Sequence, residues 1–176
     1  MMSKDYMILK DCLNCKKRLE QCEFAAISCC CDDWTPITFR LEERHQDLFT
    51  MPEQYYFVHC ISADLKMGAG IAVDMKKNYP YIVQQLKNNK PNVGTCDITA
   101  LIINLITKSK YYGKPTYDTI RMSLEDMKEK CIRLDIKHLA MPLIGCGLDR
   151  LSWGNVREII IEIFKDVGID IVVCRK

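Results

Sequence analysis

Two charged residues and two small-residue loops in this chain carry types and spacings that could do chemistry. Lys108 closes the apolar run "LIINLITK" (101–108). A lysine at a strand end commonly keeps its ammonium in water. Drawn into a partly desolvated cleft, it becomes a nucleophile that can attack an aldehyde-like sugar carbon and hold it as a Schiff base. Asp149 stands in "MPLIGCGLDRLSW" (141–153), just after Gly145-Cys146-Gly147. The same logic appears in "HCISADLKMGAGIAVDMKK" (59–77), where Gly68-Ala69-Gly70 precedes a helical stretch. Small residues let the backbone come close to a ligand, and the first amides of a helix attract phosphate. Either loop alone is no more than a strand-to-helix turn; together they could grip a diphosphate from both sides. A carboxylate beside such a cradle is electrostatically awkward unless it moves a proton or holds a hydroxyl. The competing assignment makes Asp149 or Ser152 a helix cap.

The elements that must position these residues alternate regularly after Trp34–Pro36. "ITFRLEER" (37–44) has Ile37, Phe39 and Leu41 on one face and reads as a strand. "YYFVHCIS" (55–62) reads as a strand buried on both faces. Residues 70–89 are helical, with an interruption at Tyr79–Pro80 because proline disfavours helix in the residue before it. "TALIINLIT" (99–107) reads as a third strand. Residues 114–135 form an amphipathic helix through Ile120, Leu124, Met127, Cys131 and Leu134. "IKHLAMPLI" (136–144), a helix over 152–168 that Gly168 can end, and "IDIVVC" (169–174) complete the pattern. Alternation of this kind predicts an α/β sheet covered on both faces, with ligands at the carboxyl ends of the strands.

The chain of 176 residues suits one full core, and its net charge of +2 makes no general case for nucleic-acid binding through the phosphate backbone. No apolar run reaches the roughly 20 residues that span a bilayer, and the N-terminus lacks a signal-peptide core. The expectation is a cytoplasmic or nuclear protein, monomeric and free of membrane. Eleven cysteines, an odd number, read as reduced thiols in that setting. Six of them fall within residues 1–33, which hold no glycine. Cys12 and Cys15 have C-x2-C spacing, and Cys22 with one of Cys29–Cys31 could complete four sulfurs. A clean second pair and a nearby histidine are lacking, so a plain extension is favoured over a zinc site. Residues 1–35 read as a Cys-rich N-terminal extension, and 36–176 as the domain.

The three segments "HCISADLKMGAGIAVDMKK", "LITKSKYYGKPTYDTIRMSLEDMK" and "MPLIGCGLDRLSWGNV" together resemble the macrodomain family. They look most like its branch typified by the terminal ADP-ribose protein glycohydrolase, over about residues 36–174. The resemblance implies a three-layer α/β/α domain with a mixed central sheet that binds ADP-ribose and needs no cofactor. It implies that Lys108 attacks the anomeric carbon of the distal ribose and that Asp149 helps release the lysine adduct as acid and base. Asp47, in "HQDLF", would take a hydrogen bond from the adenine amino group, with Leu48 beside it. Ser62, Met67, Gly68, Ala69, Gly70, Ile71 and Thr107 would line one side of the ligand. Ile144, Gly145, Cys146, Gly147 and Leu148 would close the other. Gln46 stands where the family usually has glycine, and "VVCRK" ends the chain where relatives have a more apolar tail.

The implied activity is removal of mono-ADP-ribose from acidic side chains of proteins, with O-acetyl-ADP-ribose as a related ester. The alternatives are a reader that binds ADP-ribose without turnover, an ADP-ribose 1''-phosphate phosphatase, and a hydrolase of ADP-ribosylated DNA. Lys108, Lys110 and Lys114 form a small basic cluster that could steer nucleic acid or could be a solvated loop.

Overall fold

The computed structural model describes residues 38–175. The Cys-rich extension, with its candidate zinc ligands and the boundary near residue 35, lies outside the described residues. Six strands are present among those described: β1 Arg40–His45, β2 Tyr56–Ser62, β3 Thr95–Thr99, β4 Ile102–Lys108, β5 His138–Met141 and β6 Asp170–Arg175. They form one sheet in the order β1-β6-β5-β2-β4-β3. All neighbours are parallel except β3 and β4, which pair antiparallel from Thr95↔Ile106 to Thr99↔Ile102. The helices are α1 Ile71–Asn78, α2 Tyr81–Asn89, α3 Tyr117–Arg133 and α4 Trp153–Phe164, with a short 3-10 turn at Leu48–Thr50. The sheet is therefore mixed, as expected.

Each central strand is apolar on both faces because a helical layer covers each side. Val58, Leu105, Leu139, Ile171 and Val173 pack with α3 and α4 residues such as Ile120, Leu124, Val156 and Phe164. Phe57, Ile61, Ile106, Ala140 and Val172 alternate onto the other face, against Met75, Ile82 and Leu86 of α1 and α2. This is the three-layer α/β/α arrangement. The helical stretch over 70–89 does break at Tyr79–Pro80, where Tyr79 ends α1 and Pro80 precedes α2.

Two readings from sequence are corrected. Residues 99–107 are not one strand: Ala100 and Leu101 form a tight turn, and a separate edge strand, β3, precedes it. Ala100 takes a left-handed φ of 51° there. No glycine, asparagine or proline marks that turn, so the run looks continuous. The strand read over 136–144 is also shorter, because the chain leaves the sheet after Met141 and Pro142 follows.

The functional consequence lies in the strand order. From β2 the chain proceeds to β4 on one side, while β5 pairs on the other. A crevice opens at the carboxyl ends where connections diverge in this way.

Candidate active site

The loop after β2 is held in an uncommon backbone shape. Leu65 and Met67 have φ of 56° and 44°, and Gly70, the residue that starts α1, has φ of 58°. A non-glycine residue in that region costs on the order of 1–2 kcal/mol, and such strain persists where surrounding contacts fix it. Asp64 supplies those contacts. Its carboxylate accepts from Ser62 Oγ at 2.6 Å and from the Tyr111 amide at 3.0 Å. It thereby ties the loop after β2 to the loop after β4. Burial works to raise the Asp64 pKa, but the bonds from Ser62 and the Tyr111 and Lys66 amides, with the Lys110 charge, outweigh it and hold the carboxyl below its ordinary range.

The loop after β5 turns sharply at Gly145, which has φ of 71°. A Cβ at that position would lie 3.1 Å from Leu151 Cδ1 and 3.4 Å from Ile120 Cδ1. Glycine is required there on both counts. The turn is closed by the Leu151 amide donating to the Gly145 carbonyl at 2.9 Å. Across the mouth, the Lys114 ammonium donates to the Leu148 carbonyl.

Between these loops lies a cavity of about 570 Å³ at the ends of β2, β4 and β5. That size suits a small-molecule site. Its walls include Ser62, Met67, Gly68, Ala69, Gly70 and Ile71 from one loop. Ile144, Gly145, Gly147 and Leu148 stand opposite, with Lys108 and Asp149 between. Lys108 Nζ donates to Asp149 Oδ1 at 2.6 Å, and the two side chains are only 15% and 13% exposed. Asp149 is thus paired with lysine and does not cap α4. Ser152 holds the cap position, without a side-chain bond to the helix. Cys60 lines the same cavity, and its thiol is pushed up to about 12, first by burial and then by the Asp149 charge. It stays a neutral thiol and is no competing nucleophile.

Four residues named from sequence are not in the cavity wall. The Asp47 carboxylate accepts from the Phe49 amide at 3.0 Å and caps the 3-10 turn. Leu48 is buried in the core beside α1 and α2. Thr107, one residue before Lys108, faces the opposite side of β4 and is buried. The Cys146 thiol donates to the Ile144 carbonyl at 3.2 Å and packs inward. Nine further residues border the cavity without having been singled out as ligand-binding by sequence, and the charged or aromatic ones are Lys66, Tyr111, Tyr112 and Lys114. Of these only Lys114 carries a signal, through its place in the basic cluster.

The sequence and fold that carry this arrangement have counterparts. A model of the Macro domain family matches residues 58–160, which contain both loops and the pair. The chain belongs to the macro domain family. Over 131 residues it is 47% identical to the ADP-ribose glycohydrolase OARD1 of Bos taurus, covering 72% of this chain and 86% of that protein. The Homo sapiens protein of the same name is 44% identical over an equal length and equal shares. Among solved structures, the macrodomain of Thermus aquaticus DarG matches with a TM-score of 0.70 at 20% identity, over 78% of this chain and 99% of that one. That likeness is one of fold. The described part of this macro domain departs from the resemblance at its carboxyl end, where Arg175 forms an ion pair with Glu43 instead of presenting an apolar contact.

Proposed function

We propose that this macro domain is an ADP-ribose hydrolase that frees mono-ADP-ribose from glutamate and aspartate side chains and deacylates O-acetyl-ADP-ribose. The observation that carries the reading is the 2.6 Å Lys108–Asp149 pair in the cavity wall. The similarity to two proteins named ADP-ribose glycohydrolase supports it.

Lys108 is the nucleophile. Asp149 Oδ1 takes a proton from the ammonium, and the freed Nζ lone pair attacks the anomeric carbon of the distal ribose. The bond from that carbon to the ester oxygen breaks, and its electrons leave with the side-chain carboxylate. The proton on Asp149 passes to the ring oxygen, a second proton leaves Nζ for solvent by way of Asp149, and the ring opens to a protonated Schiff base. Water then adds to the imine carbon, and both of its protons pass through Asp149 to Nζ. The carbon–nitrogen bond breaks, and ADP-ribose departs with the lysine restored. The diphosphate lies between the two loops, near the first amides of α1, where it meets donors and the positive end of the helix dipole.

The test is a turnover assay on a protein carrying glutamate-linked mono-ADP-ribose, with ADP-ribose binding followed by calorimetry. Release by the wild type, with loss in Lys108→Ala and Asp149→Ala variants that still bind ADP-ribose, supports the reading. Binding without release by the wild type would leave a reader domain.

A further inference from the structure

Three exposed apolar side chains gather at one place on the surface, and that place is the cavity mouth. Tyr111 and Tyr112 are 58% and 72% exposed, and Leu148 faces them from the opposite loop. The two tyrosine rings meet edge to face, with centroids 5.2 Å apart. Lys66 Nζ stands 5.9 Å from the Tyr111 ring centre and helps fix that ring. Lys110 lies close enough to Asp64 to act on its titration, and Lys114 is anchored on the Leu148 carbonyl. Lys108 and Asp149 cancel each other. What remains at the mouth, among the described residues, is the ammonium groups of Lys66, Lys110 and Lys114 against the carboxylate of Asp64, which is itself occupied by Ser62 and the Tyr111 amide.

Such a rim is costly to leave uncovered unless a partner covers it in use. Tyrosines give a rigid contact area with one polar end, and they anchor interfaces. The rim adjoins the Lys108–Asp149 pair, so its occupant is whatever is attached beyond the sugar at the reacting carbon. We infer that the rim formed by Tyr111, Tyr112, Lys66 and Lys110 binds the acidic polypeptide flank of the modified side chain. This rests on the proposed function for the placement of the distal ribose. Charge complementarity selects an anionic occupant. The near-neutral net charge of +2 and the small size of the patch favour a short peptide over a nucleic-acid strand, which requires a longer basic track.

The experiment compares peptides carrying ADP-ribose through a linkage that does not hydrolyse, one with acidic flanks and one with neutral flanks, by calorimetry. An ADP-ribosylated single-stranded oligonucleotide and free ADP-ribose are measured beside them. The acidic-flank peptide is expected to bind about tenfold tighter than the neutral one, with the gap closing as salt is raised. Lys66→Glu/Lys110→Glu should reverse the preference, and Tyr111→Ala/Tyr112→Ala should weaken both peptides, in each case by a larger factor than the same variant changes its affinity for free ADP-ribose. Equal affinity for the two peptides overturns the inference, as does a preference that survives both double variants or a larger gain for the oligonucleotide. Because the readout is binding, a wild type that fails to turn over would remove the hydrolase reading and still leave the rim tested.

Discussion

Two polar pairs hang from β4 four residues apart, about 13 Å along the strand. Asn104 and Lys108 each reach a partner from another segment, but they meet opposite conditions. Asn104 Oδ1 accepts from His59 Nε2 at 2.7 Å, and both side chains are fully buried. An amide oxygen only accepts, so the His59 proton sits on Nε2, and Nδ1 has no partner. Burial pushes His59 down to about 4, and the imidazole stays neutral. Lys108 instead pairs with Asp149 where the strand ends and a cavity opens. Residue type therefore does not separate a structural polar pair from a chemical one; position along the strand does. Mid-strand, the pair fixes β2 against β4. At the strand end, the same sheet delivers a charge to the cavity wall.

Removing the strand-end lysine should have the greatest consequence. Lys108→Ala should lower kcat on glutamate-linked ADP-ribose by about a thousandfold or more, because the covalent route is lost. Calorimetry should show ADP-ribose binding retained. The mid-strand pair predicts a stability effect and no chemical one. His59 is held neutral in the fold but takes a proton near 6.5 when unfolded. Stability is therefore full above pH 6.5 and falls as pH drops towards 4, by roughly 3 kcal/mol. Urea melts across that window check it, and His59→Gln should flatten the slope while leaving kcat unchanged. Between the two regions lies Gly145. Gly145→Ala should cost about 1–2 kcal/mol for its left-handed φ and its contact with Leu151, and should raise KM by displacing the loop beside Asp149. A milder change is expected at the strand-end site from Asp64→Ala. It should lower kcat/KM by about threefold, because Ser62 and the Tyr111 amide lose the acceptor that ties the two loops. The Asp64 carboxyl is held below its ordinary 3.8, so wild-type activity should not lose this tie until pH falls beneath that value.

Much of the fold is legible in the sequence. The helices and the buried strands follow from periodicity, and the Tyr79–Pro80 break follows from proline sterics. Lys108 and Asp149 each stand at a strand-to-loop position, so their candidacy can be read. Their meeting cannot, because 41 positions of chain separate them and only the β2-β4 and β2-β5 pairings close that gap. β3 is hidden because Ala100 makes a left-handed turn without a turn residue. Asp64 is hidden because its partners are a neighbouring hydroxyl and an amide from another loop. Tyr111 and Tyr112 look like ordinary loop residues in the chain, and only the fold places them at the cavity mouth. Asp47 stands out in the chain, and its carboxylate caps the 3-10 turn that follows it.

The role proposed for Lys108 requires that it become covalently bonded to the sugar during turnover. The direct measurement is intact-protein mass spectrometry of enzyme quenched with borohydride during turnover of glutamate-linked ADP-ribose. The expected result is an adduct with the added mass of ADP-ribose less one water and plus two hydrogens, mapped to Lys108 and absent from Lys108→Ala. Full turnover with no adduct on Lys108 would contradict the covalent route.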